Sequence, residues 1–243
     1  MAGRARNGPS NLVLTVLGAV VVLSAIFAIV ANRIHARQSS GPLRATGLPP
    51  TISTSLANLM GLTAIPGRSA DNFVLTDQRG RTMSFDGFKG RTVVLEFMDP
   101  HCTDICPIVS QEFVDAYHDL GTTASKVVFV AVNVNKFHTS VAAMSTYSQA
   151  HLLSTIPTWH FFTGQIQALE AVWRAYNISV VAPGPNADII HTSVVYFIDP
   201  AGHERYAAFP ADDHTSKGKA YLPGGQITAW GQGIALVLQG LSH

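Results

Sequence analysis

Only two of the 243 residues are cysteine, which excludes a disulfide-dense scaffold and a four-thiolate zinc site. Charge is scarce as well. Asp, Glu, Lys and Arg make up 13% of the chain, about half the usual share, while 47% is apolar, so wholesale disorder is excluded. No repeat of fixed period is present, which removes solenoids and propellers. The body also lacks a basic surplus. Residues 1–50 hold Arg4, Arg6, Arg33, Arg37 and Arg44 without one acid, and the remainder carries 11 basic against 15 acidic groups. Phosphate backbones need a basic footprint, so no nucleic-acid partner is expected.

What is present begins with Leu12 to Ala31, 20 residues without a charge. A helix of that length spans roughly 30 Å, the hydrocarbon thickness of a bilayer. A cleaved signal peptide would have a shorter apolar run and a small-x-small site, whereas this run ends in Asn32-Arg33-Ile34-His35. We therefore expect a short tail over 1–11, a single-pass membrane anchor over 12–31 and a flexible tether over 32–65. Residues 38–56, rich in Gly, Pro, Ser and Thr, carry the tether reading. A globular domain is expected over 66–243. Arginines flank the anchor almost evenly, so charge alone does not orient it.

The domain reads as alternating elements. Residues 73–85 form an N-terminal hairpin around Asp77-Gln78-Arg79-Gly80. Thr92 to Met98 and Lys126 to Val134 are apolar, β-rich runs typical of strands buried on both faces. Between them, Ile108 to Leu120 has helical apolar spacing and stops at Gly121. Helices over 140–153 and 165–176 flank a short strand at 159–162. A hairpin over 192–209 and a last helix from Gln226 to Leu241 follow. This order predicts an α/β fold of thioredoxin type, a central mixed sheet flanked by helices.

Both cysteines lie in Asp99-Pro100-His101-Cys102-Thr103-Asp104-Ile105-Cys106-Pro107, at the end of a buried strand and the start of a helix. Spacing of four near a helix start brings two sulfurs to one side, and the helix N-terminus favours thiolate. The pair then serves redox exchange, metal ligation or a structural disulfide. A metal needs a further ligand, and ten histidines are available. His35, His118, His138, His151, His203 and His243 fall on juxtamembrane, exposed or terminal positions, His160 at a core edge and His214 in a polar loop. His101 should diverge from the neighbouring sulfur. His191 differs, because Ile190-His191-Thr192 precedes the late hairpin, where thioredoxin folds place a proline across from the cysteines. Two soft thiolates and one imidazole suit Cu(I), and Cu(II) if the geometry opens; zinc would want a fourth ligand.

The run Val94 to Pro107, the later His191 ahead of Ser193-Val194-Val195-Tyr196-Phe197-Ile198, and the single anchor resemble the SCO1/SenC family. The resemblance covers roughly residues 72–209. It implies a membrane-tethered, thioredoxin-like protein that helps build the dinuclear copper centre of cytochrome c oxidase. Cys102, Cys106 and His191 would be the copper ligands, the partner a copper-accepting subunit of that oxidase, and the location the cell membrane with the domain on its extracytoplasmic face. Asp104 also matches a common family residue. The chain departs from the family in Asn133 to Ser140, where an Asp-Pro-x-x-Asp-Thr-Pro stretch is usual. The competing expectation is a thiol–disulfide oxidoreductase using Cys102 and Cys106, with Cys102 attacking. A thiol peroxidase is disfavoured, because neither Leu95 nor Asp99 supplies the proline its motif places seven residues before the cysteine.

Overall fold

Two apolar runs stand side by side at the centre of the molecule. In the computed structural model, which describes residues 47–242 except 66, 188, 217 and 224, these are β4 (Thr92–Met98) and β5 (Val127–Asn133), and every residue of both is buried. They pair in parallel from Thr92↔Val127 to Met98↔Asn133. Strands covered on both faces read as continuous rather than alternating apolar sequence, which is the pattern here.

The rest of the sheet grows outward from this pair. β6 (Trp159–Phe162) adds in parallel to β5, and β9 (Val195–Ile198) adds antiparallel to β4. Next come β10 (Glu204–Ala208) and the edge strand β1 (Thr63–Ala64), giving the order β1-β10-β9-β4-β5-β6. The mixed sheet and its flanking helices bear out the thioredoxin-like expectation.

Period-two alternation sends side chains to two cores. Val94 and Met98 join Phe113, Phe129, Trp159, Trp230 and Ile234 on one side. Val93, Leu95 and Phe97 join Phe73, Phe162, Trp173 and Tyr176 on the other. The first side is covered by α2 (Ile105–Asp119), α3 (Val141–Ala150) and α5 (Gln226–Leu241), and α2 packs along α5. The second side is covered by α4 (Ile166–Ala175) and by the hairpin of β2 (Val74–Thr76) with β3 (Thr82–Ser84).

Local chemistry sets the helix limits. Ser140 caps α3 by accepting the Ala143 N–H at 3.1 Å. Gly121, at φ +53°, takes the left-handed position that ends α2. α2 starts three residues before the expected Ile108. Pro107 falls in its first turn, where a missing N–H costs nothing.

One expectation is corrected. The tether foreseen over 32–65 does not extend through its second half. Residues 54–59 form α1 (Thr54–Leu59), capped by Ser53, and β1 extends the sheet on β10. Ile52, Ala57, Met60 and Leu62 are buried in the first core. Apolar burial overrides the coil-like composition of this segment. The expected tail 1–11 and anchor 12–31 lie outside the described residues. No helix among the described residues is long and apolar enough to cross a membrane.

Candidate metal and dithiol site

The cysteine loop leaves the carboxyl end of β4 and is organised by Asp99. The Cys102 N–H donates to the Asp99 carbonyl at 3.1 Å, and the His101 N–H donates to Asp99 Oδ1 at 2.8 Å. Asn135 Nδ2 donates to the same oxygen at 2.9 Å. Asn135 belongs to the stretch that departs from the family pattern, and it ties the end of β5 to the cysteine loop.

Asp104 occupies the N-cap of α2 but makes no side-chain capping bond. The sulfur of Cys102 takes that place, accepting the Cys106 N–H at 3.4 Å. Both thiols are free; Cys102 is half-buried and Cys106 is buried. The hydrogen bond from the Cys106 thiol, reinforced by the backbone amides of Cys106 and Asp104, holds the Cys102 pKa below its ordinary value. The same bond to Cys102, together with burial, pushes Cys106 well up. The pair is therefore asymmetric: the more exposed Cys102 ionises more readily than the buried Cys106.

Two buried carboxyl groups belong to the same strand and helix as this loop. Glu96, on the α2-facing side of β4, is buried, and its pKa is raised well above the usual range by burial, with the Glu112 charge adding to the rise. Glu112 of α2 is pushed by burial to about 9. One oxygen of each, Oε2, has no hydrogen-bond partner.

His191 ends β8 (Ile190–His191), which pairs with β7 (Val180–Val181) so that Val180 faces His191. Its Nδ1 lies 3.0 Å from the Thr192 carbonyl. A carbonyl only accepts, so Nδ1 carries the proton and Nε2 keeps a lone pair. Burial lowers the His191 pKa, which favours this neutral form. His191 and Cys102 line one cavity of about 720 Å³, together with Asp99, Asp104 and Lys219. His191 and the cysteine loop thus share one cavity wall. The structure does not close the three donors into a set. Among the described residues, the group of three whose ligand atoms all lie within 4.8 Å of one another is Asp104, Asp212 and His214.

That group was missed by sequence reasoning, which left His214 in a polar loop. His214 sits on β11 (Asp213–His214), paired with β12 (Ala220–Tyr221), and its Nε2 lies 3.1 Å from Asp104 Oδ1 and 3.6 Å from Asp212 Oδ2. Asp104 raises the His214 pKa. The one local signal is the acid-acid-imidazole run Asp212-Asp213-His214. His101 stacks on His138 with ring centroids 3.6 Å apart.

Comparison with known proteins gives the chain its family. The family model described as SCO1/SenC matches residues 64–218. The bovine mitochondrial protein SCO2 homolog (Bos taurus) is 29% identical over 139 residues, covering 54% of this chain and 50% of its own length. This chain thus spans about half the length of that curated relative. The structure of Bradyrhizobium japonicum ScoI with copper bound superposes with a TM-score of 0.55 at 21% identity, over 72% of this chain and 99% of that one. BsSco, described as a member of the Sco family of cytochrome c oxidase assembly proteins and studied for a disulfide switch, gives 0.50 at 21% identity, over 58% and 83%. At these identities the structural likeness establishes the fold, and the family follows from the model's match over more than half the chain: the protein belongs to the SCO1/SenC family.

Proposed function

We propose that this protein binds copper through the sulfurs of Cys102 and Cys106 and the Nε2 of His191, and passes it to a copper-accepting subunit of cytochrome c oxidase. The observation that carries the reading is the shared cavity: Cys102 and a neutral His191 with a free Nε2 line it, and Cys106 is hydrogen-bonded to Cys102. Two soft sulfurs and one imidazole fit Cu(I). Uptake requires the short β8 strand to bring His191 closer to the sulfurs. The likeness to a copper-bound ScoI and to an oxidase assembly protein supports the cargo and the recipient. An anchor over 12–31 would hold the domain near a membrane-bound recipient and raise its effective concentration.

In this reading Cys102 supplies the accessible sulfur and meets the ion first. Cys106 must lose its proton on binding, so affinity falls as pH falls. Asp99 and Asn135 keep the loop in place while the ligands close. The test is Cu(I) titration of the reduced full-length chain in detergent. A one-to-one complex that weakens by tenfold or more in His191→Ala is expected. No complex, or one indifferent to His191→Ala, removes the reading.

The asymmetry of the two thiols favours a second activity, thiol–disulfide exchange. Cys102 thiolate attacks a target disulfide to form a mixed disulfide. Cys106, deprotonated, then attacks Cys102 Sγ and releases the target as a dithiol, leaving the Cys102–Cys106 disulfide for an external dithiol to reduce. Target reduction retained in His191→Ala but abolished in Cys102→Ser marks this route.

A further inference from the structure

The β11–β12 hairpin pairs with itself and takes no part in the six-stranded sheet, as does the β7–β8 pair that carries His191 on the same cavity. Its β12 strand packs on α2, and Ala220 is buried. Gly218 and Lys219, in the turn between its strands, and Ala220 line the cavity holding Cys102 and His191. Its polar link to the cysteine loop is His214, whose Nε2 meets both oxygens of Asp104 at 3.1 and 3.2 Å.

Asp104 is not idle sequence between two cysteines. An aspartate at an N-cap ordinarily turns its carboxylate onto the first helical amides. Here it makes no such bond, Cys102 Sγ receives the Cys106 N–H, and the carboxylate is aimed at the hairpin. Asp104 and His214 are each about half exposed. An exposed pair is a weak contact, and a two-stranded unit outside the main sheet belongs to the low-stability end of a fold, where gating elements are found.

We propose that the β11–β12 hairpin is a gate over the cysteine cavity, held shut by the contact between His214 and Asp104. His214 is thus a positioning residue that controls how readily large groups reach Cys102. What the gate admits rests on the copper reading above; the gate itself does not.

The test compares two maleimides of different bulk on the reduced, copper-free full chain. N-ethylmaleimide reports the reactivity of the Cys102 sulfur, and a polyethylene glycol maleimide reports access to it, with the labelled site identified by peptide mapping. In His214→Ala the bulky reagent should react about two- to fivefold faster, the range expected for loss of one exposed polar side-chain contact, with the small reagent unchanged. His214→Arg, which keeps N–H donors opposite Asp104, should restore the slow rate. An unchanged bulky rate in His214→Ala overturns the gate. So does an equal acceleration of both reagents, which reports a changed sulfur rather than a changed opening. A fast bulky rate in His214→Arg overturns it too, because the contact with Asp104 would not be what closes the hairpin. Copper stoichiometry is measured separately, so a gate without copper binding and copper binding without a gate are distinct results.

Discussion

The sulfur of Cys102 accepts the backbone N–H of Cys106 at 3.4 Å, so the first cysteine caps the helix whose first turn contains the second. This makes two cysteines four residues apart chemically unequal. Cys102 is held low by the Cys106 thiol and the amides around it, whereas Cys106 is held high by the same bond and by burial. At pH 7 the reduced protein should be alkylated faster at Cys102 than at Cys106, because both ionisation and exposure favour the first sulfur. Time-resolved alkylation with peptide mapping measures both rates. Equal rates would refute the asymmetry and weaken the exchange reading with it.

Glu112 ties the fold to pH. Its carboxyl is shifted from 4.5 to about 9, first by burial and then by Asp115. Between those values the folded chain keeps a proton that the unfolded chain releases, so stability falls as pH rises through the window and is greatest below it. Glu112→Gln stays neutral in both states. It should flatten this slope and gain on the order of 1–3 kcal/mol at pH 7. Urea unfolding of both proteins at pH 5 and pH 8 is the measurement. Parallel stability changes in wild type and variant between those pH values would show that Glu112 is ionised in the fold.

Much of this molecule is legible without coordinates, and the reasons are local. β4 and β5 announce themselves because strands covered on both faces must be continuously apolar. The cysteines are read from spacing and from their place between strand and helix. His191 is read from its slot ahead of the β9–β10 hairpin. What escapes is non-local or short. Asp104 and His214 are 110 residues apart, and nothing in a polar loop says which carboxylate its imidazole will meet. α1 has six residues and β1 two, too few to show a helical or strand period, and Pro49, Pro50 and the neighbouring Ser and Thr residues mimic a linker.

The correction at α1 has its own test. Met60 is fully buried beneath α5 and belongs to the first core, although it lies in the segment whose composition suggests a tether. Met60→Ala should cost about 2–4 kcal/mol, the range for truncating a buried large aliphatic side chain. Thermal or urea unfolding of the variant decides it. A loss below about 0.5 kcal/mol, the scale of an ordinary surface substitution, would return residues 47–65 to the linker.

Gly231 sets how closely the cysteine-bearing helix approaches the last one. A Cβ added there would stand 2.6 Å from Asp115 Cβ and 3.2 Å from both the Ala116 nitrogen and the Glu112 carbonyl oxygen, so backbone rather than a movable side-chain tip must yield. Gly240 lies on the same helix, and a Cβ there meets only Pro49 Cβ at an ordinary 3.7 Å. Intrinsic helix propensity favours alanine at both positions by about 0.5–1 kcal/mol. Gly240→Ala should therefore be neutral or gain several tenths of a kcal/mol. Gly231→Ala should instead lose about 1–3 kcal/mol, because overpacking between α2 and α5 outweighs propensity. The two variants share chemistry and helix and differ in the neighbour, so unfolding midpoints that move together would show that α2 and α5 do not pack at this distance.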